Sequence, residues 1–230
     1  MLVEIWSDVA CPWCYVGKRR FERALELFEH RDAVQVRWRS FELDPGAPPE
    51  RAQSGPEHLA AKYGMSVAQA RAANQRLRDM GAQEGLDLRL DTLRLGSTFD
   101  AHRLLHLAAE HGLQDEAKEA FLHAYFTDNA LPSDHATLRR VAVEAGLPEA
   151  GVDEVLATDR YGAEVRADER EAARLGANGV PFFVFDRAFG VSGAQPSDVF
   201  ADVLEQAWER AQPLTMVSGT GPVCDDGACA

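Results

Sequence analysis

The sequence predicts an α/β protein in which a large all-helical insertion divides the strand-forming part into two pieces. Two observations lead to this class. Strand-like patterns occur within residues 2–41 and 182–192, near the two ends of the chain. The sequence from about residue 55 to residue 176 has a helical pattern throughout. In the first of these regions a strand, a helix and a second strand follow one another, which is the order of a parallel β-α-β unit.

Each element of the first half has its own signal in the sequence. Residues 2–7 are apolar enough to form a central strand that is buried on both faces. From Tyr15 onward, apolar side chains recur at helical spacing, and this pattern ends near residue 30. Residues 34–41 then alternate between apolar and polar side chains, which indicates a strand with one face in the core.

The insertion starts after residues 44–49, where three prolines exclude both a helix and a central strand. Glycine and proline residues divide the segment up to Gly176 into five or six predicted helices. A hairpin with Arg187 and Ala188 in its turn follows, and a last helix opens near Ser197. The predicted parts are a strand-containing domain of residues 1–43 and 177–212, an inserted helical domain of residues 54–176, and a flexible tail of residues 213–230.

The composition, with 46% hydrophobic and 27% charged residues, is that of an ordinary globular protein. A formal net charge of −13 argues against nucleic acids and anionic membrane surfaces as partners, because both require clustered basic side chains. The pattern of a secretory leader is absent, and no apolar run has the length of a membrane span. We therefore expect a cytoplasmic protein, whose four cysteines indicate transient redox chemistry or metal binding rather than structural disulfides.

Two of these cysteines, Cys11 and Cys14, stand between the first predicted strand and the first predicted helix. Pro12 suits the first helical position, because its missing N–H is not needed there. Cys11 then caps the helix, where N–H groups and the helix dipole lower a thiol pKa from ~8.5 to between about 3.5 and 7.5. This geometry makes Cys11 the attacking thiol and Cys14 the resolving thiol. The alternative is a pair of small buried hydrophobic side chains one turn apart.

Trp13, between the two cysteines, has two interpretations. Its indole is either an exposed apolar contact for unfolded substrates or a side chain that packs on the insertion. Neither Pro12 nor Trp13 carries a charge, so we expect no cation near the thiols and no stabilisation of a thiolate beyond the helix dipole. The expected redox potential lies between those of a strong oxidant and a strong reductant.

Two segments of the sequence resemble the thioredoxin superfamily. One is the pair of cysteines at a helix start, and the other is Gly179–Phe185, which looks like the segment that carries a cis-proline into the third strand of that fold. Residues Ser7–Gly17 are most similar to the FrnE-type members of the DsbA-like branch, which are grouped with the 2-hydroxychromene-2-carboxylate isomerases. The resemblance covers nearly the whole chain. It implies a thioredoxin fold with the all-helical insertion between the β-α-β half and the cis-proline hairpin half.

The resemblance also implies roles for Val180 and Pro181. A cis bond between them would press the proline against the dithiol and keep metal ions away from it. The Val180 backbone would then be free to pair with an extended substrate peptide. The simpler interpretation is a proline at the start of a strand, which is a common position for it.

Asp8 and His102 are weaker candidates for the site. Asp8 either relays a proton to or from Cys14 or caps the loop through hydrogen bonds from backbone N–H groups, and we favour the cap. His102 lies in a segment that resembles the part of the insertion facing the active site in the isomerase relatives, so it is a candidate for lining the substrate cleft. A histidine at a helix start is otherwise a surface or capping residue.

The remaining cysteines, Cys224 and Cys229, lie in the tail. Exposed thiols are open to oxidation, whereas a tethered dithiol has a high effective concentration at the active site of its own chain. Our hypothesis is that this pair exchanges with Cys11 and Cys14 as an internal auxiliary shuttle. A zinc site formed by all four cysteines has the right number of ligands, but one pair is on a rigid helix start and the other on a loose tail, so we predict no metal site.

These observations predict a thiol–disulfide oxidoreductase or disulfide isomerase without a tightly bound cofactor, with glutathione or another thiol as its redox partner. Its expected substrates are disulfide-containing or unfolded proteins and small thiols, and the sequence predicts no oligomeric state. One alternative is a glutathione-dependent isomerase or kappa-type transferase, in which a serine typically stands where this chain has Cys11. A second alternative is a redox-sensing, chaperone-like binder.

Overall fold

A computed structural model describes residues 1–211 of the 230-residue chain. Its four strands are β1 (Leu2–Ser7), β2 (Gln35–Ser40), β3 (Phe182–Phe185) and β4 (Phe189–Ser192). They form one sheet in the order β2-β1-β3-β4. The pair β1 and β2 is parallel, and β3 is antiparallel to both of its neighbours. The central position of β1 follows from its almost continuous apolar sequence.

The helices within residues 1–211 are α1 (Pro12–Leu27), α2 (Gly55–Tyr63), α3 (Val67–Gln83), α4 (Phe99–Glu110), α5 (Gln114–Phe126), α6 (His135–Glu144), α7 (Glu149–Ala157), α8 (Gly162–Arg174) and α9 (Ser197–Ala211). The insertion therefore contains seven helices, α2 to α8, rather than the predicted five or six. The boundary that the sequence did not reveal separates α7 from α8. Thr158 is extended there and Tyr161 has a left-handed φ of 66°, yet neither glycine nor proline lies between them.

One face of the sheet is covered by α1 and α9. Phe21 of α1 packs on Phe183 of β3 and Phe200 of α9, with ring centroids 5.6 and 5.8 Å apart, and Phe183 and Phe200 are 4.6 Å apart. All three rings are buried. This aromatic cluster fixes α1 on the sheet and thereby sets the position of its N-terminus.

The insertion covers the opposite face of the sheet. Trp6 of β1 is fully buried there, and its indole N–H donates to the carbonyl of Asp168 in α8 at 2.8 Å. Helices α4 to α7 form a separate apolar core, and Val9, from the loop between β1 and α1, packs into that core. The loop before α1 is therefore held between the sheet and the insertion.

The outer edge of the sheet at β2 is occupied by a side chain of α5. The amide of Gln114 accepts from the backbone N–H of Trp38 at 2.9 Å and donates to the carbonyl of the same residue at 2.9 Å. The Trp38 indole N–H donates to Asp115 at 2.8 Å. These bonds fasten α5 to the edge strand.

The predicted α/β class with a helical insertion is confirmed by this architecture. The first strand, the two strands of the hairpin and the last helix lie at or within two residues of their predicted positions. No helix in the described part of the chain combines the length and the apolar character that crossing a membrane requires.

Candidate active site

The candidate active site lies where the loop after β1 meets the start of α1. Cys11 is the N-cap of α1, Pro12 occupies its first position, and the backbone N–H of Cys14 donates to the carbonyl of Cys11 at 3.0 Å. Both thiols are free and buried, with 3% of Cys11 and 1% of Cys14 exposed. Each thiol influences the ionisation of the other. The structure thus brings the predicted dithiol together at a helix start.

The segment before β3 lies against this dithiol. The peptide bond between Val180 and Pro181 is cis, and the Cys11 thiol donates to the Val180 carbonyl with an Sγ–O distance of 3.6 Å. Pro181 also approaches α1, because a methyl group added to Gly17 would lie 2.9 Å from the proline Cγ. Glycine at position 17 therefore permits the close contact between the helix and the proline.

Two apolar side chains are exposed on the segments around the loop that leads to the dithiol. Trp13 is 41% exposed and Leu43 is 39% exposed. Leu43 is held beside the loop before α1, since its backbone N–H donates to Asp8 Oδ2 at 2.8 Å. An apolar group of a substrate could be received next to the thiols by Trp13, which stands between the two cysteines.

Asp8 organises the loop before α1. Its Oδ1 accepts from the N–H of Ala10 at 3.2 Å, its Oδ2 accepts from Leu43, and the Nε2 atom of His102 lies 3.3 Å from Oδ1. Burial opposes ionisation, but the hydrogen bond and charge of His102 and the Leu43 N–H lower the pKa of this carboxyl on balance. These contacts are the loop-capping bonds that we favoured, and the proton relay stays a prediction.

His102 of α4 is fully buried and lies behind Asp8, away from solvent. Burial lowers its pKa, although Asp8 opposes this effect. Its Nδ1 atom is buried without a hydrogen-bond partner. The ring supports the loop from the side of the insertion, and the proposed role in lining the substrate cleft stays a prediction.

The expectation that no cation lies near the thiols is wrong. Lys118 of α5 is fully buried, and its ammonium donates to the carbonyl of Ser7, the last residue of β1, at 3.3 Å. Its positive charge acts on both Cys14 and Cys11. Burial lowers the pKa of Lys118 to about 8, although the thiols and Asp8 favour its charged form.

A signal for Lys118 was present in the sequence. Phe121, Leu122 and Tyr125 follow it at helical spacings of three, four and seven residues, and all three are buried. A lysine on the apolar face of a helix is unusual, because buried ammonium groups are rare without a partner. Its contact with the dithiol, however, depends on how the insertion folds back on β1.

The pKa values of the two thiols are shifted in opposite directions. Burial opposes ionisation of Cys14, but the hydrogen bond from Cys11, the charge of Lys118 and the Ser7 hydroxyl lower its pKa on balance. The hydrogen bond to Cys14, burial and the neighbouring negative charges raise the pKa of Cys11 well above its ordinary value. These opposite shifts favour Cys14 as the first of the two thiols to ionise. We expected the helix terminus to lower the pKa of Cys11, but the effects of Cys14, burial and the neighbouring charges are larger and raise it.

A second buried carboxyl group lies near the loop. Glu42 follows β2, and its side chain is paired with Arg166 of α8. Its Oε1 atom is buried without a hydrogen-bond partner. Burial raises the pKa of Glu42 to about 7, although Arg166 opposes this effect.

We expect Glu42→Gln to stabilise the protein at about pH 8 and to change its stability little near pH 4.5. The folded protein holds the Glu42 proton more tightly than the unfolded chain, so its stability falls as the pH rises from about 4.5 through 7. An amide removes that loss, and the expected gain is on the order of 2 kcal/mol. Urea unfolding of both proteins at the two pH values measures it, and an equal effect of the substitution at both would contradict the assignment.

Cys224 and Cys229 lie outside the described residues, so the structure places neither thiol relative to the dithiol. Between residues 1 and 211, no group of three or more histidine, cysteine or acidic side chains is arranged to hold a metal ion.

Comparisons with known proteins relate this fold and site to others. The sequence matches the model of the DSBA-like thioredoxin domain family over residues 2–205. The crystal structure of a probable DsbA oxidoreductase from Streptomyces coelicolor is 52% identical, with a TM-score of 0.89 over 100% of this chain and 98% of that one.

Two more distant structures show the same fold. One is the cytosolic disulfide reductase DsbM from Pseudomonas aeruginosa, solved also with GSH, which is 18% identical with a TM-score of 0.61 over 92% of this chain and 100% of that one. The other is a 2-hydroxychromene-2-carboxylate isomerase, 14% identical with a TM-score of 0.62 over 91% of this chain and 95% of that one. The predicted thioredoxin fold with a helical insertion is confirmed.

Proposed function

The chain belongs to the DSBA-like thioredoxin domain family, and from this membership we propose that it exchanges disulfides through the Cys11–Cys14 dithiol. The resemblance to the DsbA-like branch is thereby confirmed, and it supports a thiol–disulfide oxidoreductase in general. The observation that carries the specific proposal is the buried thiol pair at the start of α1, where Cys11 contacts the Val180 carbonyl and the charge of Lys118 acts on both thiols.

Cys11 is the attacking thiol in this proposal. It contacts the half-buried Val180, whereas Cys14 is acted on by Ser7 and Lys118 from within the protein. When Cys11 attacks a substrate disulfide, its proton passes to the Cys14 thiolate, and the substrate sulfur that leaves carries the negative charge. A mixed disulfide between Cys11 and the substrate results.

Cys14 then resolves the mixed disulfide. It gives up its proton, directly or through solvent, to the sulfur that left in the first step, and attacks the Cys11 sulfur. The bond between Cys11 and the substrate breaks, and the second substrate thiolate takes a proton from solvent. The charge of Lys118 favours this step, because it stabilises the thiolate that Cys14 must become.

The substrates that we propose are disulfide-containing or unfolded proteins and small disulfides. The exposed side chain of Trp13 supports this class, since it offers an apolar contact beside the thiols. The Val180 backbone would pair with an extended peptide, as the family resemblance implies. Glutathione is a candidate redox partner, because the DsbM structure with GSH shows such a thiol with a protein of the same fold. We propose a cytoplasmic location, from the cysteine usage of the chain.

The tail cysteines are proposed to act as an internal auxiliary pair. Cys224 lies thirteen positions beyond the end of α9 at Ala211, and a chain of that length spans at most about 45 Å. A domain of this size has a radius of gyration of roughly 17 Å. The length of the tail therefore permits exchange between Cys224, Cys229 and the dithiol.

Titration in glutathione buffers, read by Trp fluorescence and thiol alkylation, tests both proposals. Since Lys118 stabilises the reduced dithiol, we expect a potential between about −120 and −200 mV, on the oxidising side of the cytosolic poise. Replacing Cys224 and Cys229 with serine is expected to shift the apparent potential or slow the approach to equilibrium. An unchanged titration and rate in that variant would exclude the proposed shuttle and leave the proposed exchange through Cys11 and Cys14 unaffected.

A dithiol that forms no disulfide in any glutathione buffer would contradict the proposed function. A stable, unreactive glutathione complex would instead favour the glutathione-dependent isomerase or transferase. Binding of unfolded proteins that survives Cys11→Ala, without any exchange activity in the wild type, would favour a redox-sensing, chaperone-like binder.

A further inference from the structure

The insertion places a buried lysine beside the dithiol without a carboxylate partner. Lys118 is fully buried, and its ammonium makes one hydrogen bond, to the Ser7 carbonyl at 3.3 Å. The ammonium also lies 5.5 Å from the centroid of the Trp38 ring. Among the described residues, no carboxylate oxygen lies within 4.0 Å of this ammonium, as an ion pair would require.

The other buried lysine, Lys18, shows the contrast. It is also about 98% buried, but its ammonium is paired with Glu22, with Asp115 at 3.1 Å and with Glu119 at 3.2 Å. A buried ammonium normally requires such partners, because the loss of hydration otherwise disfavours its charge. Lys118 therefore depends on more distant negative groups to remain charged.

Four titratable groups on the elements packed around Lys118 act on it. Cys14, Cys11 and Asp8 favour its charge, while Lys18 opposes it. His102, on α4, is also buried, and burial lowers its pKa although Asp8 opposes this effect. The carboxylate of Asp8 is already committed to Ala10, Leu43 and His102. The charge of Asp8 is thus present in both redox states, whereas the charge of the thiolate is lost on oxidation and restored on reduction.

We propose that Lys118 is the counter-ion of the reduced dithiol and that it releases a proton when Cys11 and Cys14 form their disulfide. This proposal rests on the proposed function, since it requires the pair to cycle between dithiol and disulfide. Oxidation removes the thiolate, so the buried ammonium loses its strongest attraction and becomes an amine. By linkage, reduction returns the proton to the lysine.

The atoms and charges of this step balance. The reduced pair holds one thiolate, one thiol and the Lys118 ammonium. Two electrons leave to an oxidant, the two sulfurs form a bond, the thiol releases its proton and the ammonium releases a second one. The thiols and the lysine together are neutral before and after the step. With a substrate disulfide as oxidant, the two electrons and two protons yield two substrate thiols.

Counting protons during oxidation tests the proposal. The full chain with Cys224→Ser and Cys229→Ser is reduced, placed in weak buffer with a pH indicator, and oxidised by ferricyanide, which takes up electrons without protons. Ultraviolet absorbance of the thiolate gives the number of thiol protons held before oxidation at the same pH. We expect the released protons to exceed that number by about half a proton or more per disulfide between about pH 7 and 8.

Two variants identify the source of the excess protons. Lys118→Arg keeps the positive charge but cannot lose its proton, so the excess is expected to vanish while a thiolate persists. Lys118→Met is expected to remove the excess and to raise the pH at which the thiolate forms. Lys62→Met, which changes an exposed lysine of α2, is the control and should retain the excess.

The outcomes separate this proposal from the proposed function. Disulfide formation without excess protons in the wild-type pair would overturn the role of Lys118 and leave the exchange activity intact. An excess that persists in Lys118→Arg would also overturn it, because the proton would then come from a group other than Lys118. If mass spectrometry shows that no disulfide forms under oxidation, the proposed function itself fails.

Discussion

Replacing Cys11 with serine is expected to reduce disulfide exchange to the uncatalysed background, because a hydroxyl group cannot form the mixed disulfide. Cys14→Ser should fail differently. Its Cys11 thiol retains the power to attack, but no second thiol lies in the site to release the substrate. We therefore expect a mixed disulfide with the substrate to accumulate in Cys14→Ser and to be absent from Cys11→Ser.

Thiol release from a disulfide-bonded peptide measures turnover, and mass spectrometry of the intact protein detects the mixed disulfide. Both variants are compared in the full chain with Cys224→Ser and Cys229→Ser, so that no tail thiol replaces the missing one. Accumulation of the mixed disulfide in Cys11→Ser, with none in Cys14→Ser, would show that the two roles are reversed. Such a result would agree with the lower pKa of Cys14.

Phe183→Ala is expected to destabilise the protein by about 3–5 kcal/mol, a large part of the 5–15 kcal/mol that typically stabilises a domain. Phe183 is fully buried and touches Phe21 and Phe200, so truncation leaves a cavity between the sheet and both helices on that face. The same cluster positions the start of α1. Loss of stability should therefore be accompanied by weaker protection of the Cys11 and Cys14 thiols against alkylation.

Urea unfolding measures this effect as a lower midpoint at an unchanged slope. Phe189→Ala is the matched control, because Phe189 belongs to the same hairpin but is only partly buried in the edge strand β4. We expect it to cost less than half as much. Equal losses in the two variants would mean that burial in the aromatic cluster does not set the stability.

Local patterns in the sequence were enough to place the strands and the dithiol. The apolar run of β1 and the alternation of β2 reflect burial of each strand, and Cys11 and Pro12 mark a helix start by their own chemistry. These signals depend on residues close together in the chain. For the same reason, the helix break at Tyr161 went undetected, since its left-handed backbone is imposed by packing rather than by a glycine.

The electrostatics of the site could not be derived from such local signals. Lys118 is 104 residues from Cys14 and His102 is 94 residues from Asp8 in the sequence. Each reaches the loop before α1 only because α4 and α5 pack against β1 and β2. The lowered pKa of Cys14 follows from that packing, whereas the helix terminus alone predicted that the charge would lie on Cys11.

The amide of Gln114 also bears on how copies of this protein behave in concentrated solution. A free strand edge can template pairing with another chain, which is a common beginning of aggregation. At Trp38 both backbone groups facing outward from β2 are already bonded to Gln114. Intermolecular sheet growth through this part of the edge would first have to detach α5. Because α5 also carries Lys118, the same helix supplies a positive charge to the dithiol and blocks self-association through this part of the sheet edge.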